Sequence, residues 1–419
     1  MGEADSARYV DVTVGDIAHG GFCVGRAGDG RVVFARFALP GERVRVAVTR
    51  EKSKLLYGDT VEVLEDSSSH RVDHSWEEAG PLGVGGADLG HVAFEWQTEW
   101  KKQVIEGALR RIGGEDLIQH MAENGVSVRV YPCEGDEVTQ GWHTRTRVEF
   151  VADSQGRLGM TRPFSHDVVP LTSMPLAVPE IDELELFSGA WSGQLREGAR
   201  VKAVATSGSD VCAVIDNQVF SAPRMRTEPF VREDVVVDGE LYSYRLRAGG
   251  FWQIHRSGPE QLLRRVLQLS GVSAGDRVLE LYCGAGLFTQ ALAVVVGSSG
   301  ALEAFEGARS AVEDARANLR DMPWARVKTA NIDASFIASR GEKECDIAIA
   351  DPPRAGLGIE GARAFAQLPA RSLLLISCDP AAMARDTATM VAAGRRVVTI
   401  ESLDMFPNTH HVETLVVMR

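Results

Sequence analysis

Three successive rhythms of apolar and polar residues run along this chain. In 9–14, 20–26, 31–34, 42–49 and 57–64 the two kinds alternate in short runs separated by glycine turns. Alternate side chains of a strand face opposite sides, so each run buries one face, and five such strands in so short a stretch predict a small closed barrel. From Phe94 the period lengthens. Trp96, Trp100, Val104, Leu109 and Ile112 fall near one face of a predicted helix, Lys101, Lys102, Arg110 and Arg111 lie opposite, and Gly113-Gly114 is expected to stop it. The stretch 67–90 is irregular and glycine-rich, and 126–239 reads as an α+β segment with strands such as 146–152 and 201–205. Beyond Tyr242 a helix at 257–269 leads into apolar strands near 277–281, 301–305, 326–329, 346–350, 372–377 and 396–400 that alternate with helices. That alternation predicts a mostly parallel sheet. The last two strands, 396–405 and 414–418, are joined too closely for a crossover helix and must pair antiparallel. The expected division is a barrel at 1–65, a central α+β domain from 66–92 and 126–240, a helical segment at 93–125 packed on the last domain, and a doubly wound α/β domain at 241–419.

At 419 residues the chain is too long for one ordinary domain, and 44% hydrophobic with 25% charged residues is an ordinary globular balance. The apolar runs 291–296 and 373–376 are core-sized rather than membrane-sized, and no basic-then-apolar leader opens the chain, so neither membrane anchor nor signal peptide is expected. Met1-Gly2 with Ser6 fits the myristoylation pattern, but Glu3 and Asp5 beside it, with no basic patch, mark the match as coincidence. Six cysteines (23, 133, 212, 283, 345 and 378) contain no C-x-x-C pair, which argues against a disulfide framework or zinc site and for a reducing cytoplasm. A net charge of −13 means that any nucleic-acid partner must meet locally gathered basic residues. The barrel carries Arg26, Arg31, Arg36, Arg43, Arg45, Arg50, Lys52 and Lys54, either a solvated face or an RNA grip; coincidence of that charge with a barrel of the oligonucleotide-binding kind favours the grip. Arg145, Arg147, Arg157 and Met160-Thr-Arg-Pro-Phe164 either meet a phosphate backbone or decorate a plain sheet surface.

Four stretches carry chemistry. In Val278-Leu-Glu-Leu-Tyr-Cys-Gly-Ala-Gly-Leu-Phe288 a strand ends, Gly284 and Gly286 turn the chain, and a helix begins whose free N–H groups face any ligand the glycines admit. The next strand ends at Glu306, about twenty residues on, where an acid accepts both hydroxyls of a ribose. Asp351-Pro-Pro-Arg354 follows strand 346–350 as a stiff turn at a carboxyl edge, where open sheets bind ligands; alone, it is only a turn. Ile376-Ser-Cys378-Asp-Pro380 puts a cysteine at a strand tip, a position that favours a nucleophile over a core residue. In His410-His-Val-Glu413 the histidines lack a complementary ligand set, so no metal is expected, and Glu413 is either solvated or a general base.

Taken with Phe251-Trp-Gln253, these motifs resemble the S-adenosylmethionine-dependent RNA uracil-5-methyltransferases, particularly the ribosomal-RNA members with an N-terminal TRAM barrel. All stand in the family's order between 251 and 413. The resemblance implies a class I methyltransferase sheet with an antiparallel last strand. It implies cofactor contacts from Gln253, Tyr282, Glu306 and Asp351 around the Gly284 and Gly286 turn, Cys378 as nucleophile and Glu413 as base. The implied partner is RNA, ribosomal in preference to transfer RNA, acted on by a cytoplasmic monomer. Many relatives hold an iron–sulfur cluster with four cysteines ending in C-G-G-C. Here the corresponding stretch is Val84-Gly-Gly-Ala87, so no cluster is expected and the loop is expected to be held by packing. Amino-group methylation fits less well, because Arg354 stands where such enzymes place an aromatic. Cytosine-5 methylation fits less well because the only Pro-Cys pair, Pro132-Cys133, lies in another domain. A non-catalytic RNA-binding factor would not need both Cys378 and Glu413.

Overall fold

The computed structural model describes residues 8–191 and 193–419, so the Met1-Gly2 and Ser6 pattern lies outside the described residues. Strands Tyr9–Ala18, Phe22–Arg26, Val32–Arg36, Arg43–Lys52 and Leu55–Glu65 close into a barrel when the first pairs with the fourth. Val12, Val14, Val33, Val44, Val46 and Leu56 fill it, and a Cβ at Gly58 would run into the carbonyl oxygen of Ala47. Much of the expected RNA grip is otherwise engaged. Arg31 pairs with Asp29 and Glu51, Arg36 with Asp59, Arg43 with Glu65, and Arg45 with Asp11 and Glu62. These are largely cross-strand pairs that favour the barrel's register, and the charge without an ion-pair partner among the described residues narrows to Arg26, Arg50, Lys52 and Lys54.

The helix from Phe94 breaks at Gly113-Gly114 as expected, but a second helix starts at once from the same glycines. Phe94–Ala108 passes through a π-helical turn, Leu109–Gly113, into a second helix, Gly114–Glu123. Gly114 takes φ +83°, which redirects the axis, and Glu115 and Asp116 then favour a new N-terminus. The wider turn also rotates Ile112 off the apolar face, leaving it 48% exposed. Lys101, expected on the polar face, is fully buried and ion-paired with Asp404.

The central domain is a seven-stranded antiparallel sheet whose middle strands are Arg147–Ala152 and Arg200–Ala205, packed on Trp191, Ile181 and Leu184. Two of its candidate phosphate contacts are engaged elsewhere: Arg147 is buried against Glu233 at 2.7 Å, and Arg157 pairs with Asp153 at 2.8 Å.

The last domain has eight strands in the order Ala325–Thr329, Ala301–Glu306, Arg277–Leu281, Ile347–Ala350, Ser372–Ser377, Glu413–Met418, Val397–Asp404, Val128–Pro132. As predicted, it is parallel except for Glu413–Met418, which runs antiparallel to both neighbours. The expected boundaries shift in two places. Val128–Pro132, assigned to the central domain, pairs in parallel with Val397–Asp404, because Val128 and Val130 complete the apolar layer there. A cut at 240/241 would sever the hairpin of Phe230–Val237 and Glu240–Arg247, whose Val231, Val235, Tyr244 and Leu246 pack on the helices of the last domain. Strand order reverses between Arg277–Leu281 and Ile347–Ala350, and the crevice at such a switch point is where open sheets take ligands. Among the described residues no helix is long and apolar enough to cross a membrane.

Candidate active site

After Arg277–Leu281 the chain turns within a few residues. Tyr282, Gly284 and Gly286 all take positive φ (62°, 54° and 94°) before helix Leu287–Val296 begins. Only glycine adopts such conformations without strain, and at Gly286 a Cβ would also press on the Cβ of Ala315 at 3.3 Å. Gly286 therefore shapes the turn from behind, while Gly284 lines the cavity in front. Glu306, at the tip of the neighbouring strand, accepts from the Gly284 N–H at 3.1 Å and the Ala308 N–H at 2.7 Å. Those bonds hold its carboxylate in place beside the cavity, with lone pairs left to accept hydroxyls. Tyr282 donates its hydroxyl to the Ile332 carbonyl at 3.0 Å, and burial pushes its pKa up to about 12, which keeps it a neutral phenol.

This cavity, about 970 Å³, is lined by Gln253, Tyr282, Gly284, Glu306, Asp351, Cys378 and Glu413; of the predicted site residues only Gly286 does not reach its wall. Strands Ser372–Ser377 and Glu413–Met418 pair with Ser377 opposite Thr414. One register step further sets Cys378 beside Glu413 at the sheet's edge. Sequence alone placed them 35 residues apart with no stated relation, and the antiparallel register is what joins them. Asp351 stands at the adjacent tip, where burial and then Glu306 push its pKa up to about 7. Burial, reinforced by Asp351, also pushes Glu413 well above the usual carboxylate range. Burial raises the Cys378 thiol to about 11; Glu413 and Asp351 add to the shift and Arg354 opposes it. The site is thus a cluster of acidic groups that hold their protons tightly, with one guanidinium favouring the thiolate.

Asn408 exchanges hydrogen bonds with Gln97 (2.7 and 2.9 Å), the Leu89 N–H donates to the Asn408 carbonyl at 2.9 Å, and Asp88 accepts from the backbone N–H of His410 at 2.9 Å and from its ring. The segment that delivers Glu413 is therefore tied to the loop at 84–90, where Val84 and Ala87 are buried in the central core. Sequence reasoning missed several wall residues, including Phe406, Leu357 and Ile332, which carry no polar signature and lie in the connections between strands and helices. It also missed a buried trio, Cys133, Asp136 and His255, whose ligand-type atoms lie within 4.8 Å of one another. His255 bonds Asp136 through Nε2 at 3.0 Å and accepts from the Ser257 N–H through Nδ1 at 3.3 Å. Hydrogen bonds thus engage both ring nitrogens, and the trio bolts the strand that begins at Val128 to the entrance of the last domain.

A doubly wound sheet with one reversed strand, a glycine turn at its switch point and an acid at the next strand tip defines a class I S-adenosylmethionine-dependent methyltransferase. Comparison with known proteins narrows this. The model of the tRNA (uracil-5-)-methyltransferase family matches residues 223–419, and that of the TRAM domain matches 7–61. An uncharacterized RNA methyltransferase of Streptomyces avermitilis is 36% identical, over 97% of each chain. The 23S rRNA (uracil(1939)-C(5))-methyltransferase RlmD of Chromohalobacter salexigens is 30% identical, over 99% of this chain and 90% of its own. The fold is shared with the Pyrococcus abyssi tRNA (uracil-54, C5)-methyltransferase, crystallised with S-adenosyl-L-homocysteine, at a TM-score of 0.70 and 19% identity over 98% of this chain and 99% of that one. The chain belongs to the RNA uracil-5-methyltransferase family, and its cofactor is S-adenosylmethionine.

Proposed function

We propose that this protein methylates carbon 5 of a uridine in 23S rRNA through a temporary bond between Cys378 and carbon 6, acting as a monomer in the cytoplasm. The observation that carries this reading is the placement of Cys378 beside Glu413 in the cavity that also holds the glycine turn and Glu306. Ribosomal RNA is preferred because a relative that is 30% identical over nearly the whole chain is named for a 23S uridine.

The residues suit S-adenosylmethionine: the Glu306 carboxylate beside the cavity fits a ribose diol, Gly284 leaves room for a ligand against the backbone, and Gln253, Tyr282 and Asp351 supply further polar contacts. The bound cofactor supplies an electrophilic methyl group to which carbon 5 of uracil, unaided, is too weak a nucleophile to respond. Cys378 corrects that. Its thiol loses its proton to solvent, the resulting thiolate adds to carbon 6, and the electron pair of the 5,6 double bond moves into the ring as an enolate that makes carbon 5 nucleophilic. Arg354 favours the thiolate against the acids around it. Once carbon 5 carries the methyl, Glu413, having first given up its own proton to solvent, removes the proton that remains there. The released pair re-forms the double bond and expels the Cys378 thiolate. A carboxylate whose surroundings raise its proton affinity is well matched to that abstraction. Both faces of the ring must be open, so the uridine enters unstacked.

The test uses RNA in which the target carries 5-fluorouracil, whose fluorine Glu413 cannot remove. Wild type should form a covalent species stable to denaturing electrophoresis and Cys378→Ala none; carbon-5 methylation by Cys378→Ala would overturn the mechanism. Mass mapping of 5-methyluridine in ribosomal and transfer RNA from a deletion strain decides the substrate. Loss from transfer RNA alone would replace the ribosomal reading.

A further inference from the structure

Beside the methylation cavity lies a second one of about 510 Å³, and the two share Ile254, Arg354, Phe406 and His411 in their walls. All three domains contribute to it: Phe22 from the barrel, Arg145 and Phe164 from the central domain, and Arg354 and His410 from the catalytic domain. We propose that this cleft is a nucleotide subsite that takes an unstacked RNA residue neighbouring the target uridine, its base against Phe164 and its phosphate between Arg145 and Arg354.

Phe164 is the first support. It sits at the turn between strands Leu158–Thr161 and Val168–Pro170, 69% exposed and at φ +61°. A bulky residue in the left-handed region is strained. The turn nonetheless fixes it there: Arg162 N–H donates to the Asp167 carbonyl, Ser165 N–H to the Arg162 carbonyl (both 3.1 Å), and Asp167 N–H to the Ser165 hydroxyl at 2.9 Å. The Arg50 guanidinium stands 5.7 Å from the ring centroid, so a base laid on Phe164 would also meet a barrel cation. Aromatic faces of this kind are how proteins hold unstacked bases without reading their edges.

Charge is the second support. Three arginines line this cleft of a protein with net charge −13, and Arg36 is neutralised by Asp59. The other two are not. Arg145 donates to the Gly86 carbonyl at 3.2 Å and has no carboxylate partner among the described residues. Arg354 has no hydrogen-bond or ion-pair partner among them. Asp88, the single carboxylate in the wall, is engaged by His410. Burial lowers Arg145 to about 10, so it remains a cation at neutral pH, whereas His411, pushed down to about 3 by burial, stays neutral. Two guanidiniums without a carboxylate partner and one exposed ring around a nucleotide-sized space match a phosphate and a base.

This inference rests on the proposed RNA methylation, and the experiment separates the two. Steady-state methylation of a 23S rRNA fragment bearing the mapped uridine is compared for wild type, Phe164→Ala and Phe164→Trp; a transfer-RNA substrate is used instead if mapping points there. Phe164→Ala should lower kcat/KM about tenfold to a hundredfold, mostly through KM, with Phe164→Trp close to wild type. S-adenosylhomocysteine affinity should not change in either. The decisive arm places an abasic residue at each of the two positions on either side of the target. At one position the penalty for removing the base and the penalty for removing the ring should fail to add. A wild type that does not methylate the RNA refutes the function; a wild type that does, with Phe164→Ala within twofold of it or with fully additive penalties at all four positions, refutes the subsite.

Discussion

Lys101 offers a sharp test of how the N-terminal half supports the active site. Its ammonium is fully buried, paired with the equally buried Asp404, and donates to the Phe406 carbonyl at 3.0 Å. Burial pushes the pKa of this ammonium down and Asp404 opposes the shift, so the pair persists because each charge answers the other. Lys101→Met keeps the length of the side chain but strands a carboxylate at the end of strand Val397–Asp404. Breaking a buried pair from one side costs about 3–5 kcal/mol. For a domain of this size that lowers the unfolding midpoint by roughly 10 °C. Scanning calorimetry measures it, and the shift produced by S-adenosylhomocysteine identifies which transition belongs to the catalytic domain. Lys101→Met combined with Asp404→Asn removes both charges and should recover at least half the loss. The reasoning fails if Lys101→Met stays within about 1 kcal/mol of wild type, the range of an exposed substitution, or if the double variant loses the sum of the two single effects.

Three further outcomes follow from the site. Glu280 is buried in strand Arg277–Leu281 with no hydrogen-bond partner for either carboxylate oxygen among the described residues, and burial raises its pKa from 4.5 to about 8. Because the folded state holds this proton more tightly than the unfolded one, stability falls as pH rises from about 4.5 to about 8. Glu280→Gln should abolish that component, worth roughly 3–5 kcal/mol at pH 8, and parallel midpoint-versus-pH curves for the two proteins would refute it. Gly286→Ala forces a Cβ into φ +94° against Ala315; at about 1–2 kcal/mol of backbone strain it should weaken S-adenosylhomocysteine binding by roughly tenfold in calorimetric titration, and unchanged affinity would exclude a role for this turn in holding the cofactor. Glu413→Gln should still add Cys378 to the ring but fail to release it, so a methylated covalent complex should accumulate on unmodified RNA; a variant that turns over normally would remove Glu413 as the base.

The catalytic sheet was legible in the sequence because its signals are local. A strand of four to six apolar residues ends in a glycine pair, in Glu306, in Asp351-Pro-Pro or in Cys378, and each signal stands at its own strand tip. What escaped is non-local. Val128–Pro132 reads as the start of the next domain until Val397–Asp404 is present to pair with it. Lys101 reads as a solvated lysine because the carboxylate that permits its burial lies 303 residues away. The barrel arginines read as a free cationic face because the sequence does not reveal which acids their strands bring opposite them. The π-helical turn escaped for another reason: Gly113-Gly114 is a sound stop signal, and a change of helix axis meets the same requirement for a positive φ.

The non-local contacts converge on one segment. Lys101 holds Asp404 and the Phe406 carbonyl, Gln97 and Leu89 hold Asn408, and Asp88 holds His410. All four of these residues precede the central sheet in the chain, and none of them lines the methylation cavity. The segment they grip runs from the end of strand Val397–Asp404 to Glu413 and supplies Phe406, His411 and Glu413 to the cavity wall. A connection of this length, held only at its two strands, would have many conformations, and a base misplaced by an ångström loses much of its effect. In the proposed mechanism the anchors upstream would have a catalytic consequence without touching the reaction: they fix the Glu413 carboxylate opposite the Cys378 thiol carried by a different strand. The same loop that supplies Asp88 also lines the cleft beneath Phe164, so the contacts that place Glu413 and the surface proposed for the neighbouring nucleotide meet at one junction.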